Sequence, residues 1–253
     1  MARKTRKNVG LIGLGIIGSR VAAALRAGGF HVYVWNRTPR AEPNFLSSSA
    51  EIAEVCDVIQ LFVSDAHALF DVIDSFAEKL TPRHTIICNS TVGPEATIEA
   101  AQLVKDHGAH FLDAPFTGSK LAAEKKELVY YIGGDDDTLR QVEPVLKASS
   151  KMILKIGAIG QAATVKIATN MVNAVIVQTL AEALAIVERS GVAPERFIQA
   201  VEHNASRSAL TDLKLPRMVN GEFEPHFSLK HMFKDVQLGI HMANALDLSL
   251  IHI

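Results

Sequence analysis

Residues 8–29 read NVGLIGLGIIGSRVAAALRAGG. A short apolar strand runs into Gly13, Gly15 and Gly18, and an amphipathic helix follows until Gly28 and Gly29 end it. A GxGxxG spacing by itself carries little. Held between a strand and a helix it is specific, because each glycine then has a task. Gly13 permits the tight turn, Gly15 lets the backbone approach a pyrophosphate, and Gly18 lets the helix pack close to the strand. The helix N-terminus favours the phosphate charge. Gly13, Gly15, Ile16, Ile17 and Gly18 are therefore the expected cofactor loop of a dinucleotide-binding α/β fold.

The next strand, His31 to Trp35, ends in Asn36, Arg37 and Thr38. An NAD-binding chain places an Asp or Glu here to hold the ribose 2′-hydroxyl. Asn36 removes the charge that would repel a 2′-phosphate, while Arg37 and Thr38 offer a guanidinium and a hydroxyl to bind one. The expected cofactor is NADP(H).

Strand-like runs recur at Val58–Val63, Thr85–Cys88, His110–Leu112, Leu128–Ile132 and Met152–Ile156, with helical stretches between most of them. This alternation predicts a doubly wound, largely parallel sheet. One run ends in Asn89, Ser90 and Thr91, and another in DAPFTGSKLAAE, from Asp113 to Glu124. In open α/β sheets ligands lie at the carboxyl ends of the strands. Ser90, Thr91, Thr117, Gly118 and Ser119 are placed there, the last three able to present hydroxyls and bare N–H groups to a small anion.

Residues 157–191 read GAIGQAATVKIATNMVNAVIVQTLAEALAIVERSG, an unbroken run of helix formers closed by Gly191. Apolar residues lie nearly all round it, the pattern of a helix covered on most sides. Lys166, Asn170, Asn173, Gln178 and Glu182 interrupt the run and argue against a membrane span. Lys166 and Asn170 are four apart, hence on one face. Further helices are expected at Pro194–Asn204, Ser208–Leu215 and Phe227 to about Leu250. The predicted organisation is a cofactor domain over residues 1–158 and an all-helical substrate and dimerisation domain over 159–253, built on the long inter-domain helix.

With 26 basic and 27 acidic residues, the 253-residue chain has no bias toward nucleic acid or an acidic membrane. Cys56 and Cys88 lack ligand spacing and read as reduced core residues of an intracellular protein. The basic opening MARKTRKN has no apolar segment behind it, so a cytoplasmic location is the default expectation. No HExxH is present, and His107/His110 and His226/His231 lack supporting carboxylates, so no metal is assigned.

Taken together, GLGIIG at 13–18, NST at 89–91, DAPFTGS at 113–119, GAIGQAATVKIATN at 157–170 and the pair Lys234-Asp235 resemble the β-hydroxyacid dehydrogenase family over essentially the whole chain. The resemblance implies that Lys166 is the catalytic lysine, that Thr117, Gly118, Ser119 and Asn170 hold a substrate carboxylate, that Phe227 and Asp235 line the pocket, and that Lys234 lies near the cofactor. TGSKLAAE is more similar to the glyoxylate and succinic semialdehyde reductase form of this loop than to the 3-hydroxyisobutyrate form. Thr117 stands where the family usually has Ser, which keeps the hydroxyl and adds a methyl. Family chains usually continue through a further helix after the Lys-Asp pair, so a chain stopping at Ile253 is expected to lack part of its C-terminal domain.

The implied chemistry is reversible hydride transfer between NADP(H) and a short aldehyde acid or hydroxy acid, with 3-hydroxyisobutyrate or tartronate semialdehyde as alternative substrate types. A short-chain dehydrogenase needs Tyr-xxx-Lys, and Tyr33, Tyr130 and Tyr131 have no Lys four residues on. A non-catalytic NADP-binding scaffold is the reading from another class. The apolar circumference of the long helix predicts a homodimer or higher homo-oligomer.

Overall fold

The computed structural model describes residues 8–250; the basic start of the chain and its end at Ile253 lie outside the described residues. The chain divides into two compact units, with the division falling between Lys166 and Ile167.

The first unit contains β1 (Asn8–Ile12), α1 (Gly18–Ala27), β2 (His31–Trp35), α2 (Ser49–Val55), β3 (Val58–Leu61), α3 (Ala66–Asp74), β4 (Thr85–Cys88), α4 (Pro94–Asp106), β5 (His110–Asp113), β6 (Phe116–Thr117), α5 (Lys120–Glu124), β7 (Leu128–Gly133), α6 (Asp136–Lys147) and β8 (Ser150–Gly157). Among the described residues these strands form one sheet in the order β2-β1-β3-β4-β5-β7-β6, with β8 beside β7. The first five strands pair in parallel, whereas β5 and β6 meet β7 antiparallel. Strand order reverses at β1, which has β2 on one side and β3 on the other, so the glycine turn leaves the sheet at its topological switch point.

Strands β3 and β4 are buried at every residue, as parallel strands covered on both faces must be. Alternate residues feed two cores: Val9, Leu11, Val34 and Ile87 on one face, and Ile12, Ile59, Leu61 and Ile86 on the other. The two-residue β6 and the antiparallel pairing of β7 were not legible as periodicity, because neither segment repeats often enough to define a period.

The second unit begins within α7 (Gln161–Arg189) and continues through α8 (Pro194–Glu202), α9 (Ala209–Val219) and α10 (Leu229–Ala245). Helix α9 runs on through Pro216 to Val219. Helix α10 starts later than expected, because the Ser228 side chain accepts from the His231 N–H and caps it, leaving Phe227 ahead of the helix.

The expectation that α7 is covered on most sides does not hold within this chain. Val172 is 59% and Ile186 68% exposed. The apolar cluster here consists of Leu180, Leu184, Val201 and Leu215 with a few flanking residues, too few to sheathe a 29-residue helix. By length and composition α7 is also the one helix among the described residues able to cross a bilayer.

Candidate active site

The glycine turn has the form a dinucleotide requires. Gly13 has φ +100°, and a Cβ there would sit 2.1 Å from the Phe62 carbonyl oxygen. A Cβ on Gly18 would sit 2.0 Å from the Gly13 carbonyl oxygen, so both positions exclude any larger residue. At Gly15 the opposite holds: nothing lies within 4 Å of where a Cβ would stand. Helix α1 has no side-chain cap at Ile17 and no acidic residue in its first turn. The Ser19 and Arg20 N–H groups bond back to the Gly15 and Ile17 carbonyls, whereas those of Gly15 to Gly18 have no acceptor among the described residues; with the helix dipole behind them they fit a pyrophosphate. Ile16 is 44% exposed at this turn, and Ile17 packs against the first core.

Asn36 ties that turn to the loop after β2. Its Oδ1 accepts from the Leu14 N–H at 2.9 Å, and its Nδ2 donates to the Thr38 carbonyl at 2.7 Å. Its amide is therefore occupied in holding two backbone segments together, a role that the substitution logic at this position did not anticipate. Arg37 and Thr38 are exposed, and the Arg37 guanidinium has no partner among the described residues.

At the carboxyl ends of β3 and β4, the Ser90 hydroxyl accepts from the Val63 N–H at 2.8 Å and donates to the Leu61 carbonyl at 3.2 Å. It stitches the two strand ends together, and half-buried Thr91 follows it. Asn89 donates to the Ala114 carbonyl at 2.8 Å, which links β4 to the segment carrying Thr117, Gly118 and Ser119. Thr117 and Ser119 are half-buried and Gly118 is exposed with φ +126°. Although Ser119 is the N-cap of α5, its side chain caps no N–H there. Arg20 joins the glycine turn to the end of α5, donating from Nη1 to the Ile16 carbonyl at 2.6 Å and from Nε to Glu124 Oε1 at 2.9 Å.

Lys166 is half-buried in the second turn of α7, and the start of that helix is held by a residue not singled out from the sequence. Asp113, at the end of β5, is 1% exposed, and its Oδ2 accepts from the Gly160 N–H at 3.0 Å and the Ala163 N–H at 3.1 Å. Burial raises its pKa to about 6, opposed by the N–H groups of Ala163, Gly160 and Ala162. The DAP segment placed Asp113 at a strand end, and that was its only sequence signal.

In the second unit Asn170 and Asp235, 4% and 1% exposed, face each other: the Asn170 Nδ2 donates to Asp235 Oδ2 at 2.6 Å. Lys234 Nζ lies 2.8 Å from the other oxygen of Asp235. Asn170 thus reaches a residue 65 positions away. Phe227 is 44% exposed, its ring 6.0 Å from that of His231. Burial, then Lys234, lower the His231 pKa.

Burial pushes the Cys56 and Cys88 thiols up to about 12, so neither is a nucleophile at neutral pH. Among the described residues no three His, Cys, Asp or Glu side chains group as metal ligands.

Comparison with known proteins places this geometry in context. Residues 8–160 match the family model described as the NAD binding domain of 6-phosphogluconate dehydrogenase. Residues 160–253 match that described as NAD-binding of NADP-dependent 3-hydroxyisobutyrate dehydrogenase. Glyoxylate/succinic semialdehyde reductase 2, chloroplastic, of Arabidopsis thaliana is 29% identical over 252 residues, 96% of this chain and 70% of that protein. Cytokine-like nuclear factor N-PAC of Mus musculus is 29% identical over 247 residues, 96% of this chain and 45% of that protein. The chain therefore spans about half the length of the N-PAC relatives it matches. The solved structure of Mycobacterium tuberculosis 3-hydroxyisobutyrate dehydrogenase with L-serine superposes with a TM-score of 0.88 at 25% identity, covering 97% of this chain and 89% of that one.

Proposed function

We propose, from the premise that this chain belongs to the β-hydroxyacid dehydrogenase family, that it is an NADPH-dependent reductase of a short aldehyde acid such as glyoxylate or succinic semialdehyde. The observation that carries an enzymatic reading is the presence of Lys166 at a half-buried position near the start of α7.

When bound, the nicotinamide would supply hydride chemistry at the carbonyl carbon. The chain's own residues do the rest. The open helix N-terminus at Gly15 to Gly18 holds the pyrophosphate. Arg37 and the Thr38 hydroxyl hold the 2′-phosphate, with Asn36 keeping their loop against the glycine turn. Ser90 and Thr91 form the nicotinamide side of the strand edge. Thr117, Gly118 and Ser119 receive the substrate carboxylate. As negative charge grows on the carbonyl oxygen, the Lys166 ammonium stabilises it and transfers a proton to it, leaving a neutral amine that regains its proton from water. Asn170 and Asp235, held to each other, and Phe227 belong to the substrate side, and Lys234 to the cofactor side.

The uncovered apolar surface of α7 supports a homodimer, with α7 an internal helix of a cytoplasmic enzyme and not a span. A second reading, an NADP-binding scaffold without turnover, is favoured by the resemblance to N-PAC, a protein named as a nuclear factor.

NADPH consumption with glyoxylate, succinic semialdehyde, methylmalonate semialdehyde and tartronate semialdehyde separates the two. Turnover is expected with at least one of them. Lys166→Met should lower kcat by at least about a hundredfold with NADPH affinity unchanged, and Lys166→Arg should not restore it. Arg37→Ala should weaken NADPH by about tenfold and leave NADH nearly unaffected. Tight NADPH binding without turnover of any substrate selects the scaffold.

A further inference from the structure

The amides at the start of a helix have no acceptor within the helix, and α7 has no acidic residue in its own first turn to offer one. Asp113 supplies the acceptor from 47 and 50 residues away, through its bonds to the Gly160 and Ala163 N–H groups. Lys166 follows Ala163 by three residues, one turn along the same helix. Asp113 also precedes Thr117 by only four residues, so one segment at the end of β5 carries both this anchor and the loop with Thr117, Gly118 and Ser119.

We propose that Asp113 is a positioning residue for Lys166: by gripping the first turn of α7 from the end of β5, it sets the rotation and height of that turn and so the direction of the lysine ammonium. A cap supplied from within residues 157–160 would tie the helix only to its own loop. A cap from β5 references Lys166 to the strand whose continuation is the Thr117–Ser119 loop. The surroundings leave Asp113 little else to do. Its register neighbour on β4 is Cys88, a neutral thiol, its partner on β7 is Gly133, and no cation pairs with the carboxylate among the described residues. Ala162 and Ala163 are 0% and 1% exposed, so the gripped turn is packed as well as bonded.

This inference rests on Lys166 being the proton donor, and its test separates the two ideas. kcat, KM and NADPH affinity are measured for wild type, Asp113→Ala and Asp113→Asn. Protein labelled with [13Cε]lysine is examined by NMR, the Lys166 signal being assigned by its loss in Lys166→Met. Because misplacement by about 1 Å costs about a hundredfold, Asp113→Ala should lower kcat by about thirtyfold to a hundredfold, with NADPH affinity within about twofold. An amide oxygen can accept the same two N–H groups, so Asp113→Asn should return kcat to within about fivefold of wild type. The Lys166 signal should be single in wild type and Asp113→Asn and broadened or split in Asp113→Ala. If the Ala variant does not fold, Asp113→Val, similar in shape and without an acceptor, is judged by the same criteria. Retention of kcat within about twofold, parallel loss of kcat and NADPH affinity, or an Asn variant as impaired as the Ala variant would each overturn the assignment. If wild type turns over no substrate, the proton-donor reading fails separately, and an unchanged Lys166 signal in Asp113→Ala would then overturn positioning.

Discussion

In the first unit Val9, Leu11, Ile12, Leu61 and Ile86 are all at most 1% exposed, and helices cover both faces of the sheet. In the second, the buried apolar cluster is Leu180, Leu184, Val201 and Leu215, while Phe223, Leu229 and Phe233 are 78%, 84% and 62% exposed. The difference teaches where each unit finds its stability. A sheet buried on two sides completes its core from its own strands and crossover helices. A long helix with three shorter companions has more apolar circumference than they can cover, and each Å² left in water forgoes about 25 cal/mol. The second unit is therefore the part whose stability should depend on association.

The largest test of that contrast is a pair of charges on the exposed stripe of α7. Val172 and Ile186 are fourteen residues apart and lie on one face. Wild type should sediment as a dimer at micromolar concentration. Val172→Asp with Ile186→Asp should weaken dimerisation by at least about a thousandfold, since burying unpaired carboxylates costs several kcal/mol. Unchanged sedimentation of the variant, or a monomeric wild type, would break the comparison.

A smaller effect sharpens it from within the first unit. The folded-state pKa of Asp113 is raised from 3.8 to about 6, chiefly by burial. A raised carboxyl value contributes stability that is fully present below the unfolded value and lost as pH rises through the folded one. Asn at this position does not titrate. Between pH 4 and pH 7, Asp113→Asn should therefore gain on wild type by about 2 kcal/mol in urea unfolding. A wild type that gained on the variant over the same range would contradict the burial of an ionising carboxyl.

The smallest expected effect concerns the one polar side chain inside an otherwise apolar strand. Gln60 in β3 is 0% exposed, and neither atom of its amide has a hydrogen-bond partner among the described residues. Gln60→Leu removes two groups that are costly to bury and should raise stability by about 1 kcal/mol, independent of protein concentration. A variant less stable than wild type would show that the amide is satisfied in solution.

Much of the fold was legible along the chain. The strand, glycine turn and helix of residues 8–29 announced themselves because their signals are local, and Gly13 and Gly18 are where the backbone leaves no room for a side chain. The strands from His31 onward followed from the same periodicity. The short β6 did not, nor did the start of α10, where a single cap at Ser228 outweighed the apolar Phe227 before it. Within the candidate site, residue types and strand ends were readable, whereas hydrogen-bond partners were not. Asn36 was expected to matter by lacking a charge, yet its amide joins two loops.

By itself, the sequence determined the main strands of the first unit, the cofactor turn and the presence of a lysine on a long helix, because each depends on residues within a few positions of one another. Only the tertiary structure decided that Asp113 grips the start of α7, that Asn170 bonds Asp235, and that α7 stays largely uncovered within one chain. Those pairings join residues 47 to 65 positions apart. They arise from strand register and helix packing, which bring together side chains whose separation along the chain carries no trace of their contact.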